Sequence, residues 1–416
     1  MKPVKALLLG AGSRGRFAYG QYALLNPGML KIAAVAERDD EKLKAIQKEH
    51  GIKEEFLYHS WEDAFKKLPP VEAVIIATQD SMHIQPIFSA IKNKLHILCE
   101  KPIAPALDEC QAIQKAQEGF DKVFMVAHVL KYTPFFSCLK ELLESGRIGR
   151  LVGMDLIENV GHIHHSHSFV RGAWRNSAES SPMILAKSCH DMDILSWLSG
   201  AQAESLSSYG ALNYFCQENA PSGAPAYCLD GCPHGEKCPY HVSKIYLGEN
   251  IDWPVNVITN DLSVKGRIKA LEQGPYGRCV FHCDNDVVDY QTVSIHFSNG
   301  VNANFTMSAF TMAIHRGISL FGTEGEISGD MEDGRITIKD FSRGSTEVIS
   351  LAQTHGRHSG GDFRLAGDFA ACVRGSGGLA RSVAKDSFDS HYMAFAAEAS
   401  RLQGGRMVKL EDYRPK

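Results

Sequence analysis

Short unbroken apolar runs alternate with amphipathic stretches over the first 127 residues. The runs "VKALLLG" (4–10), "KIAAVA" (31–36), "EAVIIAT" (72–78), "LHILCE" (95–100) and "KVFMVAH" (122–128) each have strand length. Their lack of polar alternation marks strands covered on both faces. Helical patterns lie between them. One runs from about Arg14 to Leu25 and stops at the breaker cluster Asn26-Pro27-Gly28. Another, "DDEKLKAIQKEH", is acidic at its start and basic toward its end, as the helix dipole favours. Two more cover "SMHIQPIFSAIKN" and "ALDECQAIQKAQEG". Strand–helix alternation of this kind predicts a parallel sheet flanked by helices.

The rhythm changes from about residue 128. A helix "TPFFSCLKELLESG" leads to a strand "LVGMDLIEN", a histidine-rich loop and a helix "HDMDILSWLSG". Residues 215–285 lack periodicity and are rich in Cys, Pro and Gly. Two-residue alternation then returns in "QTVSIHFSNG", "VNANFTMSAFT", "RGISLFGTEG", "GRITIKDF" and "TEVISL", predicting an antiparallel sheet with one open face. Helices near "DFRLAGDFAACVRG" and "SFDSHYMAFAAEASRL" close the chain.

Composition narrows the function classes. A length of 416 residues exceeds one compact core and implies two domains. A net charge of -4 supplies no basic face, so nucleic acid is not the expected partner. No apolar stretch approaches the roughly 18 residues of a membrane helix, and no membrane association is expected. The N-terminal "MKPVKALLLGAGSRGR" reads as a strand and turn, not as an export signal. The eleven cysteines are therefore expected to be reduced, in the cytoplasm.

The first candidate chemistry is the turn "LLLGAGSRGR". Gly10, Gly12 and Gly15 are spaced GxGxxG between strand and helix, with Ser13 and Arg14 inside the loop. Gly10 permits the turn, Gly12 admits a pyrophosphate close to the backbone, and Gly15 lets helix pack on strand. The helix start then offers free N–H groups to phosphates. Glu37 ends the second strand 22 residues after Gly15, where a carboxylate binds both ribose hydroxyls and repels a 2′-phosphate. This favours NAD. Arg38 beside it either stacks on adenine or accommodates NADP.

With this loop, "IIATQDSMH" (75–83), "CEKP" (99–102) and "GTEG" (322–325), the chain resembles the glucose–fructose oxidoreductase, inositol dehydrogenase and rhizopine-catabolism (Gfo/Idh/MocA) oxidoreductase family, over nearly its whole length. The resemblance implies an α/β fold: an N-terminal Rossmann domain (1–127) plus a C-terminal α+β domain (128–416) with a large, mostly antiparallel open sheet. The Cys-rich insert at about 215–285 interrupts the second domain. It also implies hydride transfer between NAD(P) and a hydroxyl carbon of a sugar, cyclitol or related polyol, in a homodimer or homotetramer.

By the same resemblance Lys101 lies beside the nicotinamide and the reacting hydroxyl, with Glu100 helping to fix it. Thr78, Gln79 and His83 match cofactor-lining positions. A desolvated lysine near a cationic ring has a lowered pKa and relays protons. In "LAKSCHDMD", His190 matches the family's catalytic histidine and Asp193 the acid after it. The acid expected four residues before the histidine is Ala186, with Lys187 next to it. Lys187 either orients substrate or opposes proton transfer to His190 by repulsion.

Two clusters remain. "GHIHHSHSFVRGAWR" (161–175) holds His162, His164, His165 and His167. If extended, it divides them between two faces. Its basic and aromatic groups suit a polyol grip made by His165, His167, Arg171, Trp174 and Arg175. In the insert, Cys228, Cys232 and Cys238 with Cys279, Cys283 or His241 as fourth ligand suit a structural zinc, because a small irregular segment lacks a core of its own. Two further readings stay open. One is glycoside cleavage by transient oxidation on tightly held NAD. The other is a non-catalytic dinucleotide-binding regulator.

Overall fold

A computed structural model describes residues 2–352 and 357–415. Strands β1 (Val4–Leu9), β2 (Leu30–Ala36), β3 (Leu57–Tyr58), β4 (Ala73–Ile76), β5 (His96–Cys99) and β6 (Phe124–Val126) form one sheet in the order β3-β2-β1-β4-β5-β6. All its pairings are parallel. The central strands β4 and β5 are almost wholly buried, as their unbroken apolar runs require. Local chemistry fixes the helix ends. The Asp39 carboxylate caps the helix Asp40–His50 by accepting from the N–H groups of Glu41 and Lys42. Thr133 caps the helix Pro134–Glu144 in the same way through the N–H of Phe136.

The second sheet comprises β7 (Leu151–Asn159), β8 (Ala203–Ala211), β9 (Tyr290–Phe297), β10 (Asn302–Ser308), β11 (His315–Gly322), β12 (Gly325–Asp330), β13 (Arg335–Asp340), β14 (Ser345–Ser350) and β15 (Val408–Lys409). Its order is β14-β13-β12-β11-β7-β10-β9-β8-β15, with β7 and β10 the one parallel pair. Alternating burial along β9 and β10 turns one face to a shared core and leaves the other open. The helices Cys189–Ser199 and Ala384–Leu402 pack on the covered face.

Three features depart from expectation. Strand β8 has small and polar residues at alternate positions and little β-branching, so its run carries no strand pattern; pairing with β9 makes it. The histidine-rich stretch is helical, not extended: His162–His165 form an α-turn and Ser166–Arg171 a wider turn. The insert contains the helix Val264–Gln273 and its own apolar clusters, one around Val242, Tyr246 and Leu271 and another around Phe215, Tyr240 and Phe281.

Near its end the chain returns to the first sheet. Leu365, Ala366 and Phe369 of the helix Gly361–Val373 share a core with Tyr19, Tyr22 and Val129. Asp362, at the start of that helix, takes both terminal nitrogens of Arg14 at 2.8 and 2.9 Å. The glycine loop is thus bolted to the far end of the chain by a bidentate pair. Asp362→Ala is expected to lower stability by about 2 kcal/mol, the scale of a charged hydrogen bond lost from a largely buried site. Chemical denaturation with an unchanged m-value would check it; an unaltered midpoint would mean the pair contributes nothing.

Candidate active site

The carboxyl ends of β1, β2, β3 and β4 open into one cleft of about 320 Å³, lined by Gly10, Gly12, Glu37, Arg38, Thr78 and Gln79 among others. This is the crevice position at which open parallel sheets receive ligands. Gly10 adopts φ +88°, and a Cβ there falls 2.5 Å from the carbonyl oxygen of Ala77. A Cβ on Gly15 overlaps the carbonyl of Gly10, whereas one on Gly12 meets nothing within 4 Å. The loop is therefore closed against its own chain and open toward the cleft. Ser13 is exposed at the helix start.

Glu37 faces the loop. One carboxylate oxygen accepts from the N–H of Ala11 at 2.7 Å and the other from that of Asp39 at 3.1 Å. Exposed Arg38 stands at the rim. The Thr78 hydroxyl is buried without a hydrogen-bond partner, an orphaned group on the cleft wall. An open backbone cradle, a carboxylate at the strand end and an unsatisfied hydroxyl together fit a dinucleotide.

Three expected cofactor contacts lie behind the cleft instead. Glu100 accepts from Arg14 Nε and from the Tyr19 hydroxyl, both at 2.6 Å, so its carboxylate is committed away from Lys101. Arg14 spends its guanidinium on Glu100 and Asp362. His83 is fully buried between the carbonyls of Pro102 (2.8 Å) and Thr78 (3.2 Å), tying the two loops together.

Lys101 follows β5 and reaches across the domain junction, donating from Nζ to the Ala186 carbonyl at 2.6 Å. The main chain thus receives the ammonium at the residue where the expected acid is missing. His190, second in the helix Cys189–Ser199, is 6% exposed, and its buried Nδ1 has no partner. Burial, then the nearby charge of Lys101, holds its pKa well below the ordinary histidine value. The ring is therefore neutral and can accept a hydrogen bond or proton. Asp193 pairs with buried Lys131 at 2.8 Å rather than with His190. Lys187 meets Glu158 of β7 at 3.2 Å. Glu158 and Asp191 both grip Arg316 Nε, at 2.6 and 2.8 Å. Burial raises the Asp191 carboxyl to about 6 against the pull of Arg316.

The proposed polyol grip is largely dismantled by the structure. His165 is fully buried, stacked between Phe169 and Phe215, with both ring nitrogens unpartnered. His167 stacks on Tyr276 at 4.6 Å and meets the Tyr246 hydroxyl at 2.9 Å. Buried Arg171 donates to the carbonyls of Arg278 and Tyr240, and Arg175 pairs with Asp284. These four side chains fasten the insert to the domain. Trp174 stays partly exposed and donates to Asp80 of the first domain at 3.3 Å.

The groups near Lys187 are instead His164, whose pKa falls by burial and by the charges of Lys187 and Arg316, and Trp253, 4.9 Å from the His164 ring. Glu158, Arg316 and Trp253 were missed, and His164 was named in the histidine cluster without a role. Glu158 was findable: in "LVGMDLIEN" it shares the inward register of Met154 and Leu156, and a charge there needs a reason.

Cys228, Cys232, Cys238 and Cys279 line one small cavity as free thiols. Among the described residues, no three His, Cys, Asp or Glu are arranged to hold a metal ion. The expected structural zinc is therefore not seen in the arrangement. Apolar packing and the hydrogen bonds of Arg171 contribute to the order of the insert.

Among known proteins, a family model described as oxidoreductase family, NAD-binding Rossmann fold, matches residues 4–128, and its C-terminal alpha/beta domain matches 140–382. The putative oxidoreductase YteT of Bacillus subtilis is 26% identical over 74% of this chain and 74% of its own length. The 2,7-anhydro-N-acetylneuraminate hydratase of Escherichia coli is 28% identical over 36% of this chain, spanning only 39% of that protein. A levoglucosan dehydrogenase solved with NADH and L-sorbose shares the fold at TM-score 0.73, with 18% identity and 99% coverage of both chains. Among the described residues no helix is long and apolar enough to cross a membrane.

The buried histidines make stability depend on pH. The pKa values of His165, His167 and His391 are each pushed down to about 3 by burial. Above roughly pH 6.5 the folded and unfolded chains are both neutral at these rings. Below it only the unfolded chain takes up protons, so stability falls as pH drops from about 6.5 toward 3. His165→Phe is expected to raise stability at pH 7 by about 1 kcal/mol, because two buried unsatisfied nitrogens disappear, and to flatten the acid decline. Melting curves between pH 4 and 8 would read both; a less stable variant would show that His165 has a polar partner.

Proposed function

The chain belongs to this family of NAD-binding oxidoreductases, and from that premise we propose that it is an NAD-dependent dehydrogenase acting on a CH–OH group of a sugar, cyclitol or related polyol. NAD supplies the hydride acceptor when bound. The observation that carries the reading is the Lys101–Ala186 contact, which sets an ammonium beyond the end of β5 and close to His190. Thr78, Gln79 and the glycine loop hold the cofactor, and Glu37 takes the ribose hydroxyls. Lys101 Nζ stabilises negative charge on the substrate oxygen as its proton leaves. Neutral His190 receives that proton, and the Lys187 ammonium orients the substrate. Trp174 and Trp253 offer aromatic faces to the ring of the substrate.

Glu37 is the ground for preferring NAD over NADP, since a 2′-phosphate at that place meets a carboxylate. The open sheet face turns Ile157, Tyr209, Tyr290 and Phe321 outward, which supports association into a homodimer or, by pairing of pairs, a homotetramer. A second reading has one observation behind it. The hydratase relative matches over 36% of this chain, so a cycle that returns the hydride and releases no NADH is the alternative.

Incubation with NAD and a panel of sugars, cyclitols and sugar acids separates these readings. Stoichiometric growth of NADH absorbance is expected; product without net NADH would favour the redox-neutral cycle. On the substrate so found, Lys101→Met is expected to lower kcat/KM by about 10²- to 10⁴-fold. An unchanged rate would remove Lys101 from the chemistry. Glu37→Ser is expected to shift the NAD-to-NADP preference at least about tenfold toward NADP, equivalent to about 1.4 kcal/mol. Equal preference before and after would remove Glu37 from cofactor selection.

A further inference from the structure

Lys187 borders the candidate site with a side chain 13% exposed, and its ammonium lies 3.2 Å from Glu158 Oε1. Glu158 itself is wholly buried. It stands on β7 directly opposite Arg316 of β11 in the antiparallel register, and its second oxygen is 2.6 Å from Arg316 Nε. The same Nε lies 2.8 Å from Asp191, the residue after His190. A buried chain Lys187–Glu158–Arg316–Asp191 therefore joins two strands to the His190 helix. Position 186, which carries an alanine, supplies only a carbonyl, and Lys101 uses it.

We propose that Glu158 is a positioning residue, the carboxylate that sets both the place and the proton affinity of Lys187 for the reaction. A buried ammonium loses its proton readily, because desolvation disfavours the charged form. Burial does lower the Lys187 pKa, and Glu158 is the largest influence that raises it. Arg316 and Lys101 lower its proton affinity and Asp191 raises it, and the buried rings of His164 and His358 also face Lys187. Glu158 stands between Arg316 and Lys187 at ion-pair distance from each, so it places the ammonium by charge. The carboxylate comes from strand β7, whereas position 186 lies in the helical turn Met183–Ala186. The inference rests on Lys187 belonging to the proposed site, but the charge relation is independent of any substrate.

The test is competitive amine labelling of the full chain with bound NAD across a pH series, read by mass spectrometry at the Lys187 peptide. Glu158→Gln removes the charge and keeps the shape. It is expected to move the labelling midpoint of Lys187 at least about one pH unit toward acid, the effect of losing an opposite charge at this range. Glu158→Asp keeps the charge at slightly greater distance and is expected to stay close to the parent, and it serves if the Gln variant does not fold. A Lys187 midpoint equal in parent and Gln variant, or shifted equally by Asp and Gln, overturns the inference. Because labelling needs no turnover, a failed dehydrogenase reading leaves this result standing. Where a substrate is in hand, the double variant Glu158→Gln/Lys187→Met should be no slower than Lys187→Met alone. Additive losses would show that Glu158 acts by another route.

Discussion

A single hydrogen bond, from the Lys101 ammonium to the Ala186 carbonyl at 2.6 Å, joins the carboxyl end of β5 to the segment that leads into the His190 helix. What lies on each side depends on it. On one side the parallel sheet ends in the glycine loop, Glu37 and Thr78. On the other the open sheet supports His190, Lys187 and Glu158. The junction is also braced by Arg14 on Asp362 and by Trp174 on Asp80. The bracing spreads over distant parts of the chain, so the geometry at Lys101 depends on the whole fold.

The second constraint is charge without water. Lys187, Glu158, Arg316, Asp191, Lys131 and Asp193 are nearly or fully buried, and each has an opposite charge within 3.2 Å. Buried ions are tolerable only in such pairs. Around them His128, His164, His190 and His391 stay neutral because burial lowers their proton affinity. A fixed array of ions and neutral rings of this kind suits stabilisation of charge that develops during a reaction, since little needs to reorient.

Much of this was legible in the sequence, for physical reasons that differ by region. The first sheet declares itself because strands buried on both faces must be apolar throughout. The glycine loop and Glu37 were readable because close backbone approach leaves glycine no substitute. Lys101 and His190 came from a resemblance, and the structure brings both to one junction. The histidine stretch misled for a definite reason: histidine, tryptophan and arginine serve equally well in packing and in binding. His165 and Arg171 are buried by the insert, whose aromatic core the cysteine spacing obscured. Glu158 and Arg316 meet through a strand register that joins residues 158 positions apart in number, which no local pattern encodes.

Dinucleotide binding at the glycine loop is the step on which the proposed chemistry depends. Calorimetric titration of NADH into the cofactor-free full chain, beside Gly12→Val, tests it directly, because a side chain at residue 12 fills space that is open toward the cleft and little else. Saturable one-to-one binding to the parent, weakened at least about tenfold (1.4 kcal/mol) in a variant of unchanged melting temperature, is the predicted result. No heat with the parent, or equal affinity in the two proteins, would contradict it.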